Sequence, residues 1–399
     1  MASTVKRFAL FLDGTWNNIN DSTNVWRLKS LCKNTAEQKV YYSAGVGTQK
    51  GEKLLGGMFG MGINEEVISA YEWLVENYEI GGHIYIFGFS RGAFTARSLS
   101  GFISKCGLLK LGSPLSLNQL YKRYRRGTSA SIRSLLNTEN TPTLSPEDKW
   151  LKKYSQPIPI YFQGVWDTVG SLGVPFPFIP HVNSHDFAFL ETDLHIDCSH
   201  AYHALAIDEH RKAFKPTLWV KNTPSVGDSY PPRNIYNVEQ RWFVGAHANV
   251  GGGYENDSLA QIPAKWLMDK SIEHELEFNN LIELDGDEEE CPIHDSLAEM
   301  ALGIYKAIPG TKYYRPIGQK PQKTPSSTLN NINETIDKSV FFRWNTNKNY
   351  RPKNLEQWAA THKINLETIK TSVRTDDPFT PLPDKIPNPN QSIVPEATN

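Results

Sequence analysis

The chain has 399 residues, enough for one enlarged α/β domain or for two or three smaller ones. Its 42 Lys+Arg and 43 Asp+Glu leave a net charge of −1, which excludes an overall field that would hold the protein on nucleic acid. No apolar run reaches the roughly 18 residues of a membrane span, and the cysteines at 32, 106, 198 and 291 are too spread for a disulfide framework or a paired-cysteine metal knuckle.

Met1 to Arg7 lead into a strand pattern and not into the apolar segment of a signal peptide, so the chain is expected to be cytoplasmic as synthesised, with reduced thiols. Arg7-Phe8-Ala9-Leu10-Phe11-Leu12 predicts a buried parallel strand that ends in a polar loop, Asp13-Gly14-Thr15-Trp16-Asn17. Val40 to Ser43 is a second, shorter strand. After a glycine-rich stretch, Asn64 is placed to cap a helix whose apolar face is Val67, Tyr71, Leu74 and Tyr78. His83 to Phe87 predicts the next strand, which runs into Gly88-Phe89-Ser90-Arg91-Gly92 and then a helical stretch from Ala93 to Arg97. That is the form of a nucleophile elbow, where a sharp strand-to-helix turn lifts a serine hydroxyl above the sheet edge.

Residues 110–157 read as a helical insertion or cap. Lys122, Arg123, Arg125 and Arg126 alternate there with Leu117, Leu120, Tyr121 and Tyr124, a pattern that suits an anionic lipid surface or a solvated helix face. Ile158 to Trp166 is a further strand, followed by Asp167. Gly173 to Pro180 is proline-stiffened and aromatic, so Phe176, Phe178 and Ile179 are candidates to line an acyl-chain path or touch a membrane, or else to pack on the core. Six histidines (His181, His185, His195, His200, His203 and His210) fit no zinc spacing, so no metal and no cofactor is expected. His203-Ala204-Leu205-Ala206 reads as helix packing, and Asp208-Glu209-His210-Arg211 as an ion-pair cluster under the site. Arg241 to Gly245 is the last clear strand, with His247 following it. Glu283 to Glu290 is an acidic loop, and the tail from Asp376 is rich in Pro and Asn.

Strands separated by helical patterns imply crossovers and a mostly parallel sheet flanked by helices, the α/β class. In such a sheet the loops beyond the carboxyl ends of the strands meet, which brings Ser90, Asp167 and His247 towards one place in the order Ser, Asp, His. The roles follow: Ser90 as nucleophile, His247 as base, Asp167 behind it, with the backbone N–H of Arg91 and of Gly14 or Thr15 as oxyanion donors. His203 and His210 are the alternative bases. Asp13-Gly14-Thr15 also matches the end of the DxDGT phosphatase motif, but Phe11 stands where the nucleophilic aspartate of that motif belongs.

Phe11 to Asn17, Gly45-Val46-Gly47-Thr48, Gly88 to Arg97, Gly164 to Gly170, His203 to Glu209 and His247 to Tyr254 together resemble the catalytic domain of the type VI secretion phospholipase effectors, Tle class 1. The resemblance covers about residues 7–260, with an echo at Tyr350 to Leu355. It implies an α/β-hydrolase acting on phospholipid esters in transient contact with a membrane, and maps the triad onto Ser90, Asp167 and His247. It further implies an immunity protein or a component of the secretion apparatus as partner, and delivery to a target cell's periplasm. Asn249 departs from the aspartate usual in the family's histidine loop. The expected organisation is a hydrolase domain over 1–360 and an extension over 361–399. The expected function is a serine esterase of phospholipase A type, against a soluble carboxylesterase or a non-catalytic binding module.

Overall fold

The computed structural model describes residues 5–14, 22–45, 58–126, 129–137, 144–169, 194, 197–221, 237–255, 257–296, 312–318, 322–323, 328–380 and 382. One sheet holds β1 (Arg7–Leu12), β2 (Gln38–Ser43), β3 (His83–Phe89), β4 (Ile160–Trp166), β5 (Cys198–Ala206), β6 (Val238–Phe243), β7 (Glu334–Ile336) and β8 (Val373–Arg374). Across it the strands run β2-β1-β3-β4-β5-β6-β7-β8. Every neighbouring pair is parallel except β7 with β8. The chain therefore steps one way from β1 to β2 and the other way from β3 onward. Such a switch point opens a crevice at the carboxyl ends of β1 and β3, where α/β sheets place their ligands.

The helices are α1 (Asn24–Leu31), α2 (Met58–Asn77), α3 (Arg91–Cys106), α4 (Leu117–Arg125), α5 (Ile132–Asn137), α6 (Pro146–Tyr154), α7 (His247–Gly251), α8 (Gln261–Glu273), α9 (Lys338–Thr346) and α10 (Lys353–His362). Successive strand residues point to opposite faces, which divides the core in two. Phe8, Leu10, Leu12, Ile84 and Ile86 pack with Val67, Tyr71 and Leu74 of α2 and with Leu99 and Phe102 of α3. On the other face Ala9, Phe11, Tyr85 and Phe87 pack with Val25 and Leu28 of α1 and Leu267 of α8. An aromatic row crosses that second face: Phe11 stacks on Phe87 at 4.8 Å, Phe87 meets Phe162 at 5.4 Å, and Phe162 stacks on Tyr202 at 5.3 Å. Because each fully buried side chain of this size is worth roughly 1.5–3 kcal/mol, a one-residue slip of any central strand would forfeit both faces.

Three expectations are corrected. Residues 198–206 form the central strand β5 and not a helix, since the segment is covered on both faces and shows no alternation that would mark it as a strand. Asn64 lies inside α2, where its side-chain Oδ1 accepts from the Tyr121 hydroxyl at 2.7 Å, and the helix begins at Met58. The sheet continues past residue 360, because β8 pairs with β7.

The excursion between α3 and β4 is closed at its neck by a two-residue antiparallel ladder, Leu108–Leu109 with Ser155–Gln156. Within it Tyr121 and Tyr124 pack around Phe102 at 5.4 and 5.3 Å, so the apolar face of α4 belongs to the core. Arg123 is buried and paired with Asp148 at 2.8 Å, while Lys122 and Arg125 are exposed. Among the described residues no helix is long and apolar enough to cross a membrane.

Candidate active site

β3 ends at Phe89 and α3 starts at Arg91, so Ser90 alone makes the turn, with φ 56° and ψ −116°. This is strained backbone for a residue with a side chain, costing of order 1–3 kcal/mol unless the surroundings over-determine it. They do: the Ser90 N–H donates to the Trp166 carbonyl at 3.1 Å, and the flanking glycines admit backbone where a methyl group would collide. A Cβ on Gly88 would lie 2.4 Å from the Gly92 carbonyl oxygen, and one on Gly92 only 2.1 Å from that of Leu12.

Asp167 follows β4 directly, also at positive φ (40°), and is fully buried. His247 opens α7 two residues after Gly245, which has a positive φ and follows the end of β6 at Phe243. The structure brings these three together. His247 Nε2 lies 2.8 Å from Ser90 Oγ, and His247 Nδ1 lies 2.6 Å from Asp167 Oδ2. With Nδ1–H donating to the carboxylate, Nε2 is left as the acceptor facing the hydroxyl. The imidazole packs against the tilted ring of Phe89 at 4.7 Å and, edge-on, against that of Phe214 at 4.9 Å.

The electrostatics follow from burial set against neighbours. Burial opposes the charge on Asp167, but the Arg315 guanidinium and the hydrogen bond from His247 outweigh it and hold the carboxyl below its ordinary range. Burial also pushes the His247 imidazole below the ordinary 6.5, against the pull of Asp167. The loop carrying His247 is tied down by two adjacent carboxylates. Asp208 accepts from Gly245 N–H at 2.8 Å and from the Tyr350 hydroxyl at 3.1 Å, and burial raises it to about 6. Glu209 accepts from His247 N–H at 3.2 Å and from Ser296 Oγ at 3.0 Å. Burial opposes its charge, yet the fork from Arg211, at 2.9 and 2.8 Å, brings it down to about 2.

The alternative bases lie elsewhere. His203 Nε2 accepts the Thr168 N–H at 3.0 Å, and burial with Arg97 nearby pushes its imidazole down to about 3. His210 Nδ1 lies 3.0 Å from the Tyr313 carbonyl. Among the described residues no group of three or more His, Cys, Asp or Glu is placed to hold a metal.

Arg91 supplies the first peptide of α3, whose N–H cannot be satisfied within the helix. Gly14 differs from the sequence expectation, because its N–H donates to Asp13 Oδ1 at 2.8 Å. Asp13 is buried and also accepts from Thr23 Oγ1 at 2.5 Å, so the Gly14 N–H is directed inward. Thr15, Phe176, Phe178, Ile179, His181, His185 and His195 lie outside the described residues. Asn249 bridges the histidine loop as a neutral amide. Its oxygen accepts from Ala246 N–H at 3.1 Å and His294 N–H at 3.2 Å, and its nitrogen donates to Asp257 at 3.1 Å. An ionised aspartate could not donate that last bond.

Two groups escaped the sequence reading. Arg315 donates to both oxygens of Asp167, and no motif around Lys312 to Pro316 announces it. Glu66 of α2 accepts from Thr95 Oγ1 at 3.3 Å and is raised to about 7 by burial, with the nearby Arg91 guanidinium opposing.

A parallel sheet with a serine on a strand-to-helix elbow, joined through an imidazole to a buried carboxylate, defines an α/β-hydrolase-like protein. The family described as the type VI secretion phospholipase effector, Tle1-like, catalytic domain matches residues 6–270, and the chain belongs to that family. It is 31% identical over 233 residues to the uncharacterized protein YEL023C of Saccharomyces cerevisiae (strain ATCC 204508 / S288c), a match over 54% of this chain and 33% of that protein. The chain thus spans about a third of the length of the curated relative it matches. Two solved structures are similar. One is the crystal structure of an uncharacterized protein from Pseudomonas aeruginosa, at 18% identity over 68% of this chain and 46% of that one, with a TM-score of 0.43. The other is the Tle1 effector bound to the VgrG spike from the type 6 secretion system, at 17% identity over 63% and 52%, with a TM-score of 0.33.

Two outcomes test this geometry. Gly92→Ala should destabilise the fold by at least the about 1–3 kcal/mol of an overpacked core, read as a lower denaturant midpoint, because rigid backbone lines the space. Glu209 has a folded value near 2 against an ordinary 4.5, so its stabilisation is complete above pH 4.5 and lost as pH falls towards 2. Glu209→Gln should therefore lower stability at pH 7 by about 3 kcal/mol and flatten the acid-side loss of melting temperature.

Proposed function

We propose that the protein is a serine hydrolase that cleaves carboxylic esters of lipids, of phospholipase A type, through an acyl-enzyme on Ser90. The observation that carries this is the continuous relay from Ser90 Oγ through His247 to Asp167, at 2.8 and 2.6 Å, built from loops that end three separate strands. Membership of a phospholipase-effector family supports the lipid substrate.

In this reading Ser90 Oγ attacks the ester carbonyl carbon as His247 Nε2 takes its proton, and Asp167 stabilises the imidazolium without itself becoming protonated. The carbonyl oxygen becomes an oxyanion against the Arg91 N–H, a donor of a kind worth about 3 kcal/mol of barrier. A second donor comes from the first loop, from Thr15 or from Gly14 once its N–H turns from Asp13. Collapse of the tetrahedral adduct expels the lysolipid alkoxide, which receives the proton from His247. Water then attacks the acyl-enzyme, giving up a proton to His247, and the fatty acid leaves as Ser90 is regenerated. Delivery by a type VI apparatus, with a spike component and an immunity protein as partners, belongs to the same reading on family membership alone.

Ser90→Ala should lower turnover on phosphatidylglycerol vesicles by about a million-fold if the three groups act as a unit. A fluorophosphonate should label the native protein at Ser90 and leave the variant unlabelled. Near-normal turnover in the variant overturns the proposal, an unlabelled native protein marks a binding module, and equal rates on vesicles and on monomeric esters mark a soluble esterase. Since the base must be neutral and burial lowers its value, the acid limb of kcat/KM should lie below pH 6.5.

A further inference from the structure

We infer that Arg315 is a positioning residue of the hydrolytic site, which makes chain beyond the family-matched residues 6–270 part of the catalytic unit. The inference rests on the proposed role of Ser90, His247 and Asp167. Arg315 has no exposed surface, and its guanidinium grips Asp167 with two parallel bonds, Nη1 to Oδ1 at 2.6 Å and Nη2 to Oδ2 at 3.0 Å. The same two nitrogens donate to the Ala206 carbonyl at 2.7 Å and the Phe214 carbonyl at 2.5 Å. One planar group therefore ties the carboxylate to the end of β5 and to the residue whose ring packs on His247.

The fork sets the carboxylate plane. Oδ1 receives Arg315 and the Ala206 N–H at 3.1 Å, and Oδ2 receives Arg315 and His247 Nδ1, so neither oxygen can rotate without breaking two bonds. Asp167 sits at a positive φ, a conformation that Asp adopts more readily than most residues, and the bidentate guanidinium then fixes the carboxylate it presents. Arg315 is in turn anchored by Asn354 of α10, whose Nδ2 donates to the Arg315 carbonyl at 3.1 Å and to that of Ile207 at 3.0 Å. Other charged or titratable groups act on this centre: Glu209 and Arg211 beside His247, His203 near Asp167, and Tyr313 near Arg315. Among the described residues Arg315 alone bonds both carboxylate oxygens.

Arg315→Lys keeps the charge and loses the fork, while Arg315→Met loses both. Steady-state kinetics on phosphatidylglycerol vesicles across pH, with thermal melts and active-site titration by a fluorophosphonate, separate the effects. Arg315→Lys should lower kcat on the order of 100-fold with KM unchanged and the acid limb in place, as misplacement of a catalytic group does. Arg315→Met should lose more, and its acid limb should move to higher pH because the positive charge opposing the imidazolium is gone. Asn354→Ala should lower kcat by a smaller factor in the same sense, and decides the matter if neither Arg315 variant folds. Folded variants with native kcat and acid limb overturn the inference, as does a loss of rate that only tracks the titratable fraction of sites. A native protein that is not labelled at all defeats the proposed function instead.

Discussion

Asp167 is a negative charge with no access to water, and the site is organised by how that charge is satisfied. An isolated ion in such surroundings costs several kcal/mol even after relaxation. Here the carboxylate has four polar partners: two guanidinium nitrogens, one peptide N–H and one imidazole. Three of these are structural, and the fourth is the group whose basicity matters. The imidazole is thereby fixed in one tautomer with its free nitrogen on the Ser90 hydroxyl. The same compensation explains why the strained φ values of Ser90 and Asp167 persist: each is locked by a bond to a neighbouring strand or its end.

Two buried carboxylates, one ion-paired and one hydrogen-bonded, support this centre. Glu209 with Arg211 holds the peptide of His247, and Asp208 with Tyr350 holds that of Gly245, so the loop after β6 is fixed through its backbone as well as through the Asn249 side chain. Tyr350 and Asn354 come from the C-terminal quarter of the chain, which also supplies β7 and β8. The C-terminal elements therefore extend one edge of the sheet and also support the site through Asp208 and Arg315.

Much of this arrangement was legible in the amino-acid order. Ser90, Asp167 and His247 could be expected as neighbours because each follows an apolar run, and parallel strands deliver their ends to one edge. The central strand β5 was hidden, since Cys198 to Ala206 is buried on both faces, is rich in alanine and lacks the alternation that marks a half-exposed strand. Arg315 was hidden for a different reason. Its partner is 148 residues away, and an arginine beside two tyrosines and a proline looks like ordinary surface until the fold closes over it. Gly14 shows a third limit: composition marks a tight loop but not where its N–H points.

The ladder of Leu108–Leu109 with Ser155–Gln156 ties the excursion between α3 and β4 at its base. Its departure and return points are held side by side, so the chain re-enters the sheet at β4 close to where α3 left it. The helices beyond that knot are nevertheless part of the packing, since Tyr121 and Tyr124 of α4 close on Phe102 of α3, so trimming them would open a void beside the helix that begins at the elbow.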